Sequence, residues 1–389
     1  MSETPRLLML PGPTNVPPRI MRAMIKPLMG HRGPDFKELF SRVLTNTKKI
    51  FETNGDLFIL TTSGTGATEC ALQNVTDDGD KIIVNVNGFF SERLSEAIRS
   101  YGGRPVILNS EWGKAPRLDD FRKILKANAD AKVLAVVYNE TSTGVTIRDM
   151  EEVGKLCADQ DVLLIVDAIS ILGGDNLPVD DWHVDMCVTA SQKCLMCPPG
   201  LSFVTVSDKA WEKIGSKKKK SSYFLDLPMY RKYLEEGFTP FTPAVSLVYA
   251  LDEAAKMILD EGLEARYRRH AMCAQAVYDS MEALGLRLMA EPESRSHTVA
   301  AVASPPGVEE GKMRELIKTK YGIELGGSLD KWKGKMFRVG VMGSVGPAEI
   351  MATVSAIASA SADLGFHARI PEALEAARKN LSKLPGRPN

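Results

Sequence analysis

The chain has no surplus of charge. Its 49 Lys+Arg balance 49 Asp+Glu for a formal net charge of +0, which removes the general electrostatic case for nucleic acid or a membrane surface as partner. No apolar stretch reaches the roughly 20 residues that a membrane span needs. No signal-peptide apolar segment opens the chain, so the cytoplasm is the expected compartment. The six cysteines, at 70, 157, 187, 194, 197 and 273, show no disulfide framework. Cys194 and Cys197 form a Cys-x-x-Cys, but no second pair at zinc spacing accompanies it. They read as packing thiols, and no metal site is expected. No loop ends in Gly-Lys-Ser/Thr, and no Gly-x-Gly-x-x-Gly follows the first strand, so the commonest phosphate and dinucleotide motifs are absent. Internal repeats and low-complexity segments are absent too. The one basic cluster, at 217–220, lacks interleaved aromatics and reads as a solvated loop. Ser382-Lys383-Leu384 looks like a peroxisomal address, but residues 385–389 follow it, and such signals are read at the terminus.

What is present is an ordinary globular composition, 44% hydrophobic and 25% charged, in 389 residues, too long for one simple core. Residues 1–20 are dense in proline and glycine and predict an extended arm. From there to the 200s, apolar runs at 57–61, 81–86, 106–108, 133–138, 162–167, 186–189 and 202–206 alternate with helical patterns at 66–75, 90–101, 118–128 and 150–160. Such alternation predicts an α/β domain, 21–255, with a mostly parallel seven-stranded sheet covered on both faces. Two long helices follow, then strands at 298–303 and 337–341 and helices at 311–321 and 347–362. These predict a smaller C-terminal α+β domain, 256–389.

Lys193 closes the buried-looking run that begins at Met186, and Pro198-Pro199-Gly200 follows it. A lysine there is unfavourable unless its charge is lowered or its nitrogen is covalently used. A Schiff base to pyridoxal phosphate is the chemistry that wants such an amine. Asp167 ends the run Val162-Leu-Leu-Ile-Val-Asp, where ligands gather in open α/β sheets. A carboxylate there can keep the pyridine nitrogen of that cofactor protonated; alone, it could equally cap the next turn.

Three further junctions fit. Thr61-Thr-Ser-Gly-Thr-Gly-Ala-Thr-Glu69 follows a strand and opens a helix, a place for a phosphate. Phe90 sits at another strand-to-helix junction and can stack on a flat ring, or serve as core. Asn139-Glu-Thr-Ser-Thr-Gly144 offers hydroxyls for a phenolic oxygen, or plain turn and cap groups. Arg338, in Phe337-Arg-Val-Gly340, is an arginine among apolar residues whose planar fork suits a carboxylate; an internal salt bridge is the alternative.

Together with Pro11-Gly-Pro-Thr-Asn15 and Thr239-Pro-Phe-Thr-Pro243, these segments resemble the class V aminotransferases of fold-type I, most nearly the alanine–glyoxylate and serine–pyruvate (serine–glyoxylate) group. The resemblance spans nearly the whole chain. It implies Lys193 as the Schiff-base lysine and Asp167 as partner of the pyridine nitrogen, both catalytic. It implies Thr65, Gly66, Ala67 and Gln192 around the phosphate, Phe90 on the ring, Thr141 near the cofactor and Arg338 on the substrate carboxylate. Thr242 resembles the residue that reaches the phosphate of a neighbouring subunit, implying a homodimer with shared sites. Many relatives have tryptophan at Phe90, a tyrosine near Thr239 and histidine at Val341. The implied activity is ping-pong transfer of an amino group from alanine or serine to glyoxylate or pyruvate. Aspartate, aminoethylphosphonate or ureidoglycine as donor, or a cysteine desulfurase-like lyase, are the alternatives. The lyase needs a mobile cysteine before the substrate arginine, and 322–336 has none.

Overall fold

The computed structural model describes residues 6–218 and 222–384. Two sheets organise it. The larger runs, from edge to edge, Asp56–Leu60, Ser202–Val206, Met186–Ala190, Leu163–Asp167, Val133–Val137, Lys81–Val86 and Arg104–Asn109. Pairing is parallel from Met186–Ala190 to Arg104–Asn109, while Ser202–Val206 runs antiparallel to both its neighbours. Every strand expected from an apolar run is present. The runs are nearly continuous in hydrophobicity because helices cover both faces. Leu134, Val136, Leu164, Val166 and Cys187 enter one core, whereas Val133, Ala135, Val137, Leu163, Ile165, Met186 and Val188 enter the other.

The smaller sheet runs Leu7–Met9, Ile323–Gly327, Met336–Gly340, Val299–Ala303. Its core joins those strands to the helices Leu263–Ala283, Glu310–Tyr321, Pro347–Asp363 and Ile370–Leu381. The N-terminal segment, expected as an extended arm, is tied to the smaller sheet. Leu7–Met9 pairs in parallel with Ile323–Gly327, Leu7 opposite Ile323. The Asn15 side chain then brackets Leu8, accepting from its N–H at 2.9 Å and donating to its carbonyl at 2.8 Å. A short helix, Pro18–Met24, starts before the expected end of the arm, with proline in its first turn, where no intrahelical N–H bond is lost.

The helix Val245–Glu261 still packs on the first core through Val248, Leu251, Ala254 and Ile258. Leu263–Ala283 enters the second through Ala274, Val277 and Met281. The change of core therefore falls at Gly262, with φ of 80°, rather than at residue 256. Of the basic cluster, Lys217 donates from its amine to the Gln73 carbonyl, so it is tied down rather than free; Lys219 and Lys220 lie outside the described residues. Among the described residues, no helix is long and apolar enough to cross a membrane.

Candidate active site

Asp167 ends the central strand of the larger sheet. Its register partners are Val137 and Val188, so its carboxyl leaves the strand between two apolar side chains. One oxygen, Oδ1, accepts from the Ile169 N–H at 3.0 Å. Burial is the main influence on it and pushes its pKa up to about 6, a rise the Ile169 N–H opposes and the charge of Glu140 adds to. The next strand, Met186–Ala190, delivers Lys193 three residues past its end, into the same ≈ 380 Å³ cavity that Asp167 lines. Burial first, then the Arg338 guanidinium, bring the Lys193 amine down to about 8.

The wall of this cavity is built at strand-to-helix junctions, as expected of a doubly covered sheet. The helix Gly64–Val75 presents Gly64, Thr65 and Thr68 to it. The first N–H groups of a helix have no intrahelical acceptor, and the Ser63 side chain does not cap them. Gln192 lines the same cavity, and its buried Oε1 has no hydrogen-bond partner among the described residues. Phe90, in the first turn of Phe89–Ser100, stands on the wall with its ring edge-on to Phe89, centroids 5.5 Å apart. Thr141 and Asn139 complete it, both tied to Ser170: Thr141 Oγ1 donates to Ser170 Oγ at 2.9 Å and Asn139 Nδ2 at 2.7 Å.

The N-terminal segment lies against the lysine. The Lys193 amine donates to the Pro11 carbonyl. Thr14 is anchored on the same loop, its N–H on the Gln192 carbonyl at 3.2 Å and its hydroxyl on the Lys193 carbonyl at 3.1 Å. A second anchor is the fully buried Arg266, which donates to the Cys194 carbonyl at 2.5 Å, the Gly173 carbonyl at 2.7 Å and Glu261 at 2.7 Å. Glu261 also takes Arg269, which reaches the Gly343 carbonyl of the small domain at 3.0 Å. Arg338 is buried on Met336–Gly340, where it donates to the Gly327 carbonyl at 2.9 Å and the Thr141 carbonyl at 3.1 Å. Burial lowers its pKa to about 10, and Glu140 opposes that fall.

Of the residues singled out by sequence, Lys193, Asp167, Thr65, Phe90, Thr141 and Gln192 line one cavity. Arg338 reaches it through Thr141. Gly66 is packed on Thr62, where a Cβ would meet Oγ1 at 2.2 Å. Ala67 is buried in the core, and its N–H already donates to the Ser63 carbonyl at 3.3 Å. Thr242 stands away from this cavity, 3.5 Å from the His31 ring and beside Phe224 and Phe241 in a separate hollow. Sequence reading missed Ser170, Glu140, Arg93 and the Pro11–Gly12 contact. Glu140 was in view inside its motif, but nothing in sequence marks a glutamate as buried. All six cysteines are buried and none is in a disulfide, and burial pushes the Cys194 thiol up to about 11. No group of three or more His, Cys, Asp or Glu is placed to hold a metal among the described residues.

A buried lysine and a carboxylate at adjacent strand ends, below an uncapped helix start, define a site for chemistry at an amine. The family comparison agrees: the family described as Aminotransferase class-V matches residues 7–327, and the chain belongs to it. It is similar to an uncharacterized aminotransferase of Methanocaldococcus jannaschii, 42% identical over 379 residues, 97% of this chain and 98% of that protein. It is 34% identical over 388 residues to a serine–glyoxylate aminotransferase of Methylorubrum extorquens, covering 97% of this chain and 96% of the other. The solved ureidoglycine–glyoxylate aminotransferase of Bacillus subtilis matches with a TM-score of 0.94 at 28% identity, over 98% of this chain and 100% of that one. The protein is thus an aminotransferase of fold-type I.

Proposed function

We propose that this aminotransferase uses pyridoxal 5'-phosphate and moves the amino group of serine or alanine to glyoxylate or pyruvate. The observation that carries the reading is the pairing of Lys193, its amine lowered to about 8, with Asp167 in one cavity at the ends of adjacent parallel strands. Three features support the cofactor. The helix start at Gly64–Thr65 offers uncapped N–H groups for a phosphate. Phe90 offers a ring face. The unpartnered Gln192 Oε1 sits in the cavity; its amide turned over presents N–H to the same anion. Six buried cysteines with no disulfide among them suit a reducing compartment such as the cytoplasm.

Pyridoxal phosphate, when bound, supplies an electron sink for the pair left at the substrate α-carbon and carries the amino group between the two half-reactions. The Lys193 amine would hold the cofactor aldehyde, and when free the same amine would take up and return the proton at the substrate α-carbon. Asp167 keeps a proton at the ring nitrogen with the oxygen that Ile169 leaves free. Arg338 orients the substrate carboxylate with its planar fork, itself aimed by two backbone carbonyls. Gly12 against Lys193 leaves little room on that side, which favours donors with a small side chain. The name of the serine–glyoxylate relative supports the same donor class and the acceptor.

A homodimer follows in this reading, with Thr242 serving the partner's phosphate. Tyr223 and Phe224 beside it are 76% and 41% exposed, an apolar rim suited to a second copy. The experiment is to load the purified protein with cofactor and add single amines: serine, alanine, aspartate, ureidoglycine and aminoethylphosphonate. Bleaching of the visible band by serine or alanine, restored by glyoxylate or pyruvate, is the expected result. A band that no α-amino acid bleaches overturns the reading.

A further inference from the structure

Glu140 is completely buried, and its carboxylate faces donors from two separate segments. From the start of the helix Phe89–Ser100 come the N–H of Phe90 at 3.3 Å, the N–H of Ser91 at 2.8 Å and the Ser91 hydroxyl at 2.9 Å. From its own turn come the Ser142 N–H at 3.1 Å and the Ser142 hydroxyl at 2.6 Å. Ser142 Oγ in turn accepts from the Phe89 N–H at 2.9 Å, closing the loop between the segments. Among the described residues no lysine, arginine or histidine nitrogen forms an ion pair with it within 4.0 Å. Its hydrogen bonds all come from neutral donors, and the Arg338 guanidinium acts on it only through space; a buried charge held in this way is expensive unless its geometry is filled. Gly88 is shaped around it: a Cβ there would lie 2.3 Å from Glu140 Cγ and 2.6 Å from Ser142 Oγ.

What this carboxylate joins is informative. Phe90 is one wall of the cavity and Thr141, next to Glu140, is another. The Thr141 carbonyl also seats Arg338 at 3.1 Å. We propose that Glu140 is a positioning residue: it locks the Phe90 turn to the 139–144 turn, fixing the width of the slot and the seat of Arg338 together. It touches neither substrate nor cofactor. This rests on the cofactor reading above and gives a role to a residue that lay inside the Asn139–Gly144 motif without one.

The test is Glu140→Gln in the full-length protein. Glutamine keeps the volume but turns an NH2 group toward N–H donors, so half the set loses its acceptor. The dissociation constant for pyridoxal phosphate, followed by absorbance titration, is expected to rise about tenfold or more, because wall positions shift by a fraction of an ångström. Visible circular dichroism of the bound cofactor weakens, and the KM for the amino donor rises with it, since the seat of Arg338 moves. Ser142→Ala, which keeps the charge and removes the hydroxyl's bond to Glu140 and the one it accepts from the Phe89 N–H, is expected to give a smaller rise of the same kind and decides the matter should Glu140→Gln fail to fold. If the folded variants bind cofactor with wild-type affinity and dichroism, and only thermal stability falls, Glu140 is a structural group and the proposal is overturned. If wild type itself captures no pyridoxal phosphate, the cofactor reading fails first, and this proposal with it.

Discussion

The amine of Lys193 donates to the backbone carbonyl of Pro11, and Gly12 lies directly against that side chain. A Cβ on Gly12 would stand 2.5 Å from Lys193 Nζ, and the φ of Gly12 is 96°, a region that disfavours any L side chain. Gly12→Ala therefore meets strain and collision at one point. It should destabilise the fold by about 1–2 kcal/mol and lower the rate of cofactor capture by displacing the lysine. Thermal melting and stopped-flow absorbance check the two effects separately.

The acidity of Lys193 sets a pH profile. With its pKa brought down to about 8, the amine carries a proton below that pH and is free above it. Only the free amine can attack an aldehyde. The rate of pyridoxal phosphate capture by cofactor-free protein should rise about tenfold per pH unit up to roughly pH 8, then level. A rate that keeps rising to pH 10 would mean that the amine keeps an ordinary lysine acidity.

Asp167→Asn tests the carboxylate without altering its shape. The amide oxygen can still accept from Ile169, so folding and capture by Lys193 should persist. A neutral group cannot hold a proton at the ring nitrogen, and the turnover number should fall on the order of 10²–10⁴-fold. Single-turnover bleaching by serine or alanine measures it.

Arg338→Lys retains a positive charge and loses the planar fork. Lysine cannot hold the Gly327 and Thr141 carbonyls while presenting two parallel N–H groups to a carboxylate. The donor KM should rise about 10- to 100-fold, about 1.4–2.8 kcal/mol, with cofactor affinity nearly unchanged. Equal losses in both quantities would place Arg338 in the scaffold instead.

The larger sheet was legible in the sequence because every strand except the edge strand Arg104–Asn109 is almost wholly buried and so reads as a nearly unbroken apolar run. Lys193 and Asp167 were legible for the same reason: a charged residue ending such a run stands out. The strand Ile323–Gly327 was not, since Glu324 and two glycines dilute it. Leu7–Met9 was hidden by the prolines that follow it, and its partner lies at the far end of the chain. The helix Leu227–Glu235 was not expected: only Leu227 and Tyr230 are buried, too little apolar spacing to register. Glu140 and Arg266 were invisible for a deeper reason. Their roles depend on donors and carbonyls brought from distant segments, and local pattern carries no trace of them.

The pairing of Leu7–Met9 with Ile323–Gly327 also orders events in time. On a ribosome adding about 5–20 residues per second, roughly 15–60 s separate the emergence of the first strand from that of its partner. Before that partner emerges the sheet bearing Asp167 and Lys193 can assemble, and the segment that carries Pro11 and Thr14 can meet Gln192 and Lys193 but lacks the strand that pins it. A chain halted before residue 323 would own Lys193 and Asp167 and still lack the strand that pins the segment over its lysine. Competence is thus acquired last, and the beginning of the message is finished only by its end.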